Sequence, residues 1–158
     1  MSTTLNMVEL RAGTTADLPL VDAIMRAAFD PRYGEAWTRG QCLGIMAMPG
    51  VTLTIASIDG QPAGFAMTRT VLDEVELLLL ATLPAVRRRG IGRALVNTVI
   101  DSARDRGTVR IHLEVRAGND AIKLYTNAGF TKIGERRGYY RGTSGQLFDA
   151  LTYSRKSD

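Results

Sequence analysis

Glu76-Leu77-Leu78-Leu79-Leu80-Ala81-Thr82, then Leu83-Pro84-Ala85-Val86, then Arg87-Arg88-Arg89-Gly90-Ile91-Gly92-Arg93, is the stretch that decides the fold. Leu77 to Ala81 is a continuous apolar run that reads as a strand covered on both faces. A long helix follows, with Ile91, Leu95, Val96, Val99, Ile100 and Ala103 along one face. Two glycines and four arginines lie where the strand gives way to the helix. Glycine lets backbone approach a ligand closely, and a helix start offers free N–H groups and roughly half a positive charge. Such a junction suits an anion, and a pyrophosphate in particular. No Gly-Lys-Ser/Thr follows, and the third glycine of a dinucleotide fingerprint is missing, so neither of those phosphate loops is present. An arginine-rich helix cap without a ligand is the plainer account of the same residues.

Working outward, Val109 to Val115 alternates strictly, with Val109, Ile111, Leu113 and Val115 on one side and Arg110, His112 and Glu114 on the other. A short helix from Asp120 to Asn127 stops at Gly129, and two strands near Thr131–Tyr139 and Leu147–Tyr153 close the chain. Upstream, Val8–Arg11 reads as a strand, and Thr14 or Thr15 with Asp17 caps a helix striped by Leu18, Val21, Ile24, Met25 and Ala28. Asp30–Glu35 is a loop, and a second helix is expected from about Ala36 to Ala47. Val51–Ile58 and Pro62–Leu72 are strands joined at Asp59-Gly60, with the next tight turn at Asp73-Glu74. The order βααβββαβαββ predicts an α/β (α+β) fold: a mixed sheet of about seven strands flanked by about four helices.

The 158 residues, 45% apolar and 23% charged, fit one soluble domain over residues 1–158, without repeats or linkers. Disordered, collagen-like and disulfide-stapled chains are excluded on those numbers. With Cys42 the only cysteine and His112 the only histidine, no Cys/His zinc cage can be built, and no metal is expected. Between Pro84 and Arg116 eight arginines face three acids, against a net charge of +4 for the whole chain. A basic zone on a near-neutral body points to a phosphate-bearing partner, either a nucleotide cofactor or a nucleic acid. The 19 uncharged residues from Gly40 to Ile58 are broken by Pro49-Gly50 and do not read as a membrane span. Glu9 and Arg11 precede any apolar run, so no signal peptide is expected and the cytoplasm is the expected location.

Strand, Arg-x-x-Gly-x-Gly and helix together resemble the acetyl-CoA loop of the GNAT acetyltransferase superfamily. The likeness continues in order through Leu113-Glu114-Val115-Arg116-Ala117-Gly118-Asn119, Leu124-Tyr125, Gly129-Phe130 and Arg136-Arg137-Gly138-Tyr139-Tyr140. That string, covering about Val71 to Ala150, resembles the ribosomal-protein-alanine N-acetyltransferases in particular. The resemblance implies a GNAT fold whose central parallel strands splay around acetyl-CoA, with the cofactor-binding core at about residues 71–130. Backbone of Leu80, Ala81 and Thr82 would then pair with the pantetheine arm. Amides of Arg88, Arg89, Gly90, Ile91, Gly92 and Arg93, flanked by Arg87, would hold the pyrophosphate, and Asn119 would bond the arm from the far side.

The resemblance also makes Glu114 the general base for the incoming amine and Tyr125 the acid that protonates the departing CoA thiolate. Against this, Glu114 could be a strand carboxylate paired with Arg110 or Arg116, and Tyr125 a core residue packed on Phe130. His112, on the Glu114 side of its strand, reads as a polar surface residue, and Cys42 as a small buried hydrophobe. Asn119 precedes Tyr125 by six residues where the family usually has seven; unless absorbed in the turn, that loss rotates the helix by about 100°. Thr82-Leu83-Pro84 and Phe148-Asp149-Ala150 also depart from the family pattern. Tyr139 and Tyr140 resemble the segment that closes over an acceptor peptide, and Phe29, Tyr33 and Trp37 could form the opposite wall or simply pack their loop.

The implied activity is acetyl transfer to a protein N-terminal α-amine, the natural acceptor being a ribosomal protein. A small-molecule amine such as a polyamine or an aminoglycoside is the alternative acceptor. A nucleic-acid-binding module is a third possibility, but no aromatic row accompanies the arginines, which argues against direct nucleic-acid binding. No membrane partner is expected.

Overall fold

Capping residues and tight turns set where each element of this chain begins. The computed structural model describes residues 7–158, so the first six residues of the expected domain lie outside the described residues. The elements are β1 (Val8–Ala12), α1 (Leu18–Ala28), α2 (Arg39–Met46), β2 (Val51–Ile58), β3 (Gln61–Val71), β4 (Glu74–Thr82), α3 (Ile91–Asp105), β5 (Arg110–Arg116), α4 (Ala121–Asn127), β6 (Thr131–Arg141) and β7 (Leu147–Lys156). The strands form one sheet in the order β1-β2-β3-β4-β5-β7-β6, in which only β4 and β5 run parallel. This is the mixed α/β architecture expected from the sequence. Among the described residues no helix is long and apolar enough to cross a membrane.

Each face of the sheet carries one helical layer. Leu18, Val21, Ile24 and Met25 of α1, with Cys42 of α2, pack on Leu53, Ile55, Phe65, Met67, Leu79 and Ala81. The stripe of α3 packs on the other face against Val75, Leu77, Ile111, Leu113 and Val115, joined by Tyr125 and Phe130. β4 therefore feeds both layers: Val75 and Leu77 face α3, whereas Leu79 and Ala81 face α1. In an unbroken strand residues two apart share a face, so something must reverse the chain between Leu77 and Leu79. It is a β-bulge, because Thr68 pairs with Leu77 and Met67 with Leu79, leaving Leu78 without an opposite residue.

Pairing of β4 with β5 ends at the same place. Glu74–Leu77 lie beside Arg110–Leu113, after which Leu78–Thr82 have no strand on that side. β5 continues to pair with β7 as far as Arg116. The central parallel strands thus diverge from Leu77 and Leu113 onward, giving the splay that the resemblance implied.

Three local expectations are corrected. Helix α2 begins at Arg39 rather than near Ala36, because Thr38 and Gln41 cap it reciprocally and the Trp37 N–H is held by Met25 Sδ at 3.1 Å. Val109 lies outside the core, 57% exposed, since β5 starts at Arg110 and Val109 uses its backbone to bridge Asp73 and Ser157. The β3–β4 turn is Leu72-Asp73 rather than Asp73-Glu74, and Leu72 occupies the left-handed region at φ 56° while 93% exposed. A leucine there costs about 1–2 kcal/mol that glycine avoids, partly offset by the greater freedom of an unfolded glycine. Leu72→Gly is therefore expected to raise stability to denaturant by about 0.5–1 kcal/mol, and a loss of stability in urea titration would contradict this account of the turn.

Candidate active site

Where β4 and β5 part, a cavity of about 1310 Å³ opens, walled by both strands, the β4–α3 connection, the start of α4, the α1–α2 loop and Tyr139 and Tyr140 of β6. Leu80, Ala81 and Thr82 line it from the unpaired edge of β4. Buried backbone groups need partners, and on this edge the chain supplies none from a neighbouring strand.

At one end the connection from β4 turns sharply into α3. Arg88 at φ 67° and Gly90 at φ 83° are both left-handed, and Gly90 is the N-cap without a side chain to accept the first N–H groups of the 15-residue helix. Gly90, Ile91, Gly92, Arg88 and Arg93 line the cavity here. Arg87 lines it as well, and its guanidinium donates to the Ala28 carbonyl at 3.1 Å, tying the turn to the end of α1. Arg89 is turned to solvent between the two left-handed residues and is not part of the lining, unlike the rest of the arginine cluster. A Cβ at Gly92 would come within 3.1 Å of the Leu124 side chain, so the helix start and α4 meet closely. Free amides, a helix dipole and arginines are the donor set a pyrophosphate requires.

The other end holds carboxylates and phenols. Glu114 points from β5 into the cavity, and its Oε1 is 2.6 Å from Arg136 Nε of β6. Neither of the arginines expected beside it is its partner: Arg110 donates to Ser154 Oγ, and Arg116 turns to Glu35. Tyr125 lies on α4, edge-on to Phe130 with ring centroids 5.9 Å apart. Burial, and then the negative charge of Glu35, push its hydroxyl well above the ordinary tyrosine value, so it remains protonated. Tyr140 is raised in the same way, first by burial and then by Glu35 and Glu114. Tyr139 packs edge-on against Tyr140, and burial and Glu114 raise it too. Trp37 and Tyr33 line the opposite wall.

Glu35 was not singled out from the sequence, yet it organises this end. Its two oxygens accept from Arg116 Nε at 2.9 Å and Asn119 Nδ2 at 2.7 Å, and the Arg116 guanidinium stacks 3.6 Å over the Tyr33 ring. The side chains of Glu35 and Arg116 are 9% and 12% exposed, a paired and nearly buried charge couple. Its partners lie more than 80 residues away, so no local spacing marks it. Asn119 lines the cavity with both ends of its amide engaged, since Oδ1 accepts from Ala121 N at 2.8 Å to start α4. Gly118 turns the chain at φ 84° ahead of Asn119, and Leu124 and Tyr125 lie on α4. His112 stays on the sheet surface, its Nε2 3.8 Å from Glu76.

The α1–α2 loop that carries Tyr33 and Glu35 is locked onto the β6–β7 turn. A Cβ on Gly34 would fall 2.0 Å from the Arg141 carbonyl oxygen, and one on Gly142 1.8 Å from that of Arg32. Tyr33 also packs edge-on against Phe148 of β7 at 5.1 Å. Among the described residues no group of three or more His, Cys, Asp or Glu side chains is arranged to hold a metal.

Comparison with known proteins gives these features a common setting. Residues 20–130 match the acetyltransferase (GNAT) family. The [ribosomal protein bS18]-alanine N-acetyltransferase of Salmonella typhimurium is 37% identical over 133 residues, 84% of this chain and 86% of that protein. The Escherichia coli protein of the same name is 45% identical over 89 residues, which span 56% of this chain and 60% of that protein. The crystal structure of the Escherichia coli ribosomal-protein-S18-alanine N-acetyltransferase superposes with a TM-score of 0.85 at 33% identity, covering 96% of this chain and 95% of the other. With strands that splay beside an uncapped, arginine-flanked helix start, and with sequence and structure matched along most of its length, this chain belongs to the GNAT family of acetyltransferases.

Proposed function

We propose that this acetyl-CoA-dependent N-acetyltransferase moves the acetyl group onto the N-terminal α-amine of a protein, a ribosomal protein in the cytoplasm, and that residues 1–158 act as one domain. The observation that carries the proposal is a single cavity joining an anion-binding helix start, an unpaired strand edge and the Glu114–Tyr125 pair. The names borne by the similar proteins favour this acceptor over a polyamine or an aminoglycoside. In this proposal the backbone of Leu80–Thr82 pairs with the pantetheine arm, and the amides from Arg88 to Arg93 hold the pyrophosphate. Arg87 flanks the pyrophosphate site while one of its donors ties the turn to α1, and Asn119, held by Glu35 and by the Ala121 N–H, bonds the arm from the far side.

Glu114 takes a proton from the acceptor ammonium, and the free amine then attacks the thioester carbonyl. As the tetrahedral intermediate collapses, the C–S bond breaks and Tyr125 gives its proton to the thiolate; the attacking nitrogen sheds its second proton as the amide forms, which restores the Tyr125 phenol, and Glu114 returns its proton to solvent, leaving CoA and an N-acetylated chain. A thiol with a pKa near 8.5 is a fair leaving group, so the acid assists rather than decides. Tyr33 and Trp37 on one side and Tyr139 and Tyr140 on the other wall the acceptor end and favour a small first side chain.

Gly92→Val is expected to weaken acetyl-CoA binding at least tenfold by calorimetry, because its side chain crowds Leu124 at the helix start, whereas Arg93→Ala loses one flexible charge and about two- to threefold. Unchanged affinity in a folded Gly92→Val protein would remove the pyrophosphate assignment. Glu114→Gln and Tyr125→Phe should each lower kcat, by up to about 10²–10⁴-fold for general acid–base groups. The Glu114→Gln defect should deepen below neutral pH, where the acceptor must be deprotonated. Since Tyr125 stays protonated past the ordinary tyrosine value of about 10, the Tyr125→Phe defect should not shrink between pH 7 and 9. Near-full activity of both variants across that range would overturn their roles. An α-amine costs roughly 3.5 kcal/mol less to deprotonate at neutral pH than a lysine side chain. Peptides beginning with Ala or Ser should therefore outpace peptides whose only amine is an internal lysine, and a polyamine winning that competition would reassign the acceptor.

A further inference from the structure

The chain spends most of its site charges in fixed pairs, and one pair reaches across the sheet. Arg136 belongs to β6 and Glu114 to β5, with β7 lying between them. In register, Thr152 sits between Glu114 and Gly134, and Ala150 between Arg116 and Arg136. Two strand spacings amount to about 9–10 Å, a span that a long side chain crosses only where β7 presents small residues. Ala150 and Thr152 provide that gap, and Arg136 Nε arrives 2.6 Å from Glu114 Oε1. Arg136 is absent from the cavity lining whereas Glu114 belongs to it, so the guanidinium holds the carboxylate from behind. Its Cζ also lies 5.7 Å from the Tyr139 ring centroid, within reach of a cation–π contact. Regular pairing of β6 with β7 lapses between Arg136 and Tyr140, and Gly138 N–H is held by Asp149 Oδ1 at 2.9 Å.

We propose that Arg136 is the positioning residue of the acetyl transfer: it pairs with one oxygen of Glu114, holds the carboxylate toward the acceptor amine, and fixes Tyr139 beside it. The proposal rests on Glu114 being the group that receives the acceptor's proton. Arg136 lies outside the cavity lining, so it acts through Glu114 and Tyr139 rather than on the substrate itself. With 63% of its side chain exposed, it contributes little to folding, and its removal is expected to leave the sheet intact.

The test is a double-substitution cycle with acetyl-CoA and a peptide beginning with alanine, using wild type, Arg136→Ala, Arg136→Lys, Glu114→Gln and Glu114→Gln/Arg136→Ala, each checked for an unchanged melting curve. Arg136→Ala should lower kcat about tenfold through a loosened carboxylate and leave the KM for acetyl-CoA unchanged. Arg136→Lys, which keeps the charge, should fall between Ala and wild type. In the Glu114→Gln background Arg136→Ala should have no further effect, a non-additivity that a merely structural role would not produce. Equal losses in both backgrounds, or no loss in the wild-type background, would overturn the proposal. A crippled Glu114→Gln beside a fully active Arg136→Ala removes Arg136 alone, whereas a fully active Glu114→Gln removes the base and this inference together.

Discussion

The unsatisfied edge of β4 is the constraint from which the rest of the site follows. One extra residue, Leu78, reverses the faces of the strand, and beyond Leu77 the parallel partner on β5 is gone. Leu79 and Ala81 can then serve the α1 layer while Val75 and Leu77 serve the α3 layer, so both cores are complete without a fifth strand neighbour in the gap. The backbone of Leu78–Thr82 is left facing a cavity instead of a strand. An exposed row of amides and carbonyls inside a protein is costly unless something pairs with it, and an extended, amide-bearing ligand is the cheapest partner. The helix start at Gly90 adds a second unmet demand, for negative charge, at the far end of the same gap.

Electrostatics divides the cavity into two ends with different logic. Arg88 and Arg93 line the helix-start end without an acid beside them among the ion pairs of the described residues, a field suited to attracting an anion. At the other end the carboxylates are matched: Glu35 by Arg116 and Asn119, Glu114 by Arg136. Matching matters there because phenols crowd the same space, and Tyr125, Tyr139 and Tyr140 are kept neutral by burial and by those nearby negative charges. Such a lining keeps hydroxyls available as proton donors while presenting carboxylates to an incoming cation.

Much of this was legible in the residues, and what was not has a physical reason. The apolar run Leu77–Ala81, the α3 stripe and the alternation through Val115 are local patterns, and each found its expected layer. Gly90 and Gly92 were legible because a helix start has its own chemistry. The bulge at Leu78 was hidden, since a run of four leucines reads alike whether or not its faces reverse. Glu35 and Arg136 were hidden for another reason: their partners lie far along the chain or two strands away, and only the folded sheet brings them together. Arg89 looked equivalent to its neighbours, yet it is exposed and lies outside the cavity lining. Leu72 and Val109 went astray at strand ends, where one residue's shift moves a side chain from core to solvent.

The interlock of Gly34 with Arg141 and of Gly142 with Arg32 has a consequence for redesign and for descent. Two backbones that touch through glycines leave no slack for either to move alone, so the wall proposed for the acceptor is a two-part cassette although its halves are about a hundred positions apart in the chain. Transplanting only the α1–α2 loop from another acetyltransferase would set its backbone against a foreign hairpin, whatever its side chains recognise. Swapping the loop together with the β6–β7 turn carries the seat along with the wall. Acceptor preference in this scaffold should then change by paired exchange of two segments, not by drift in one.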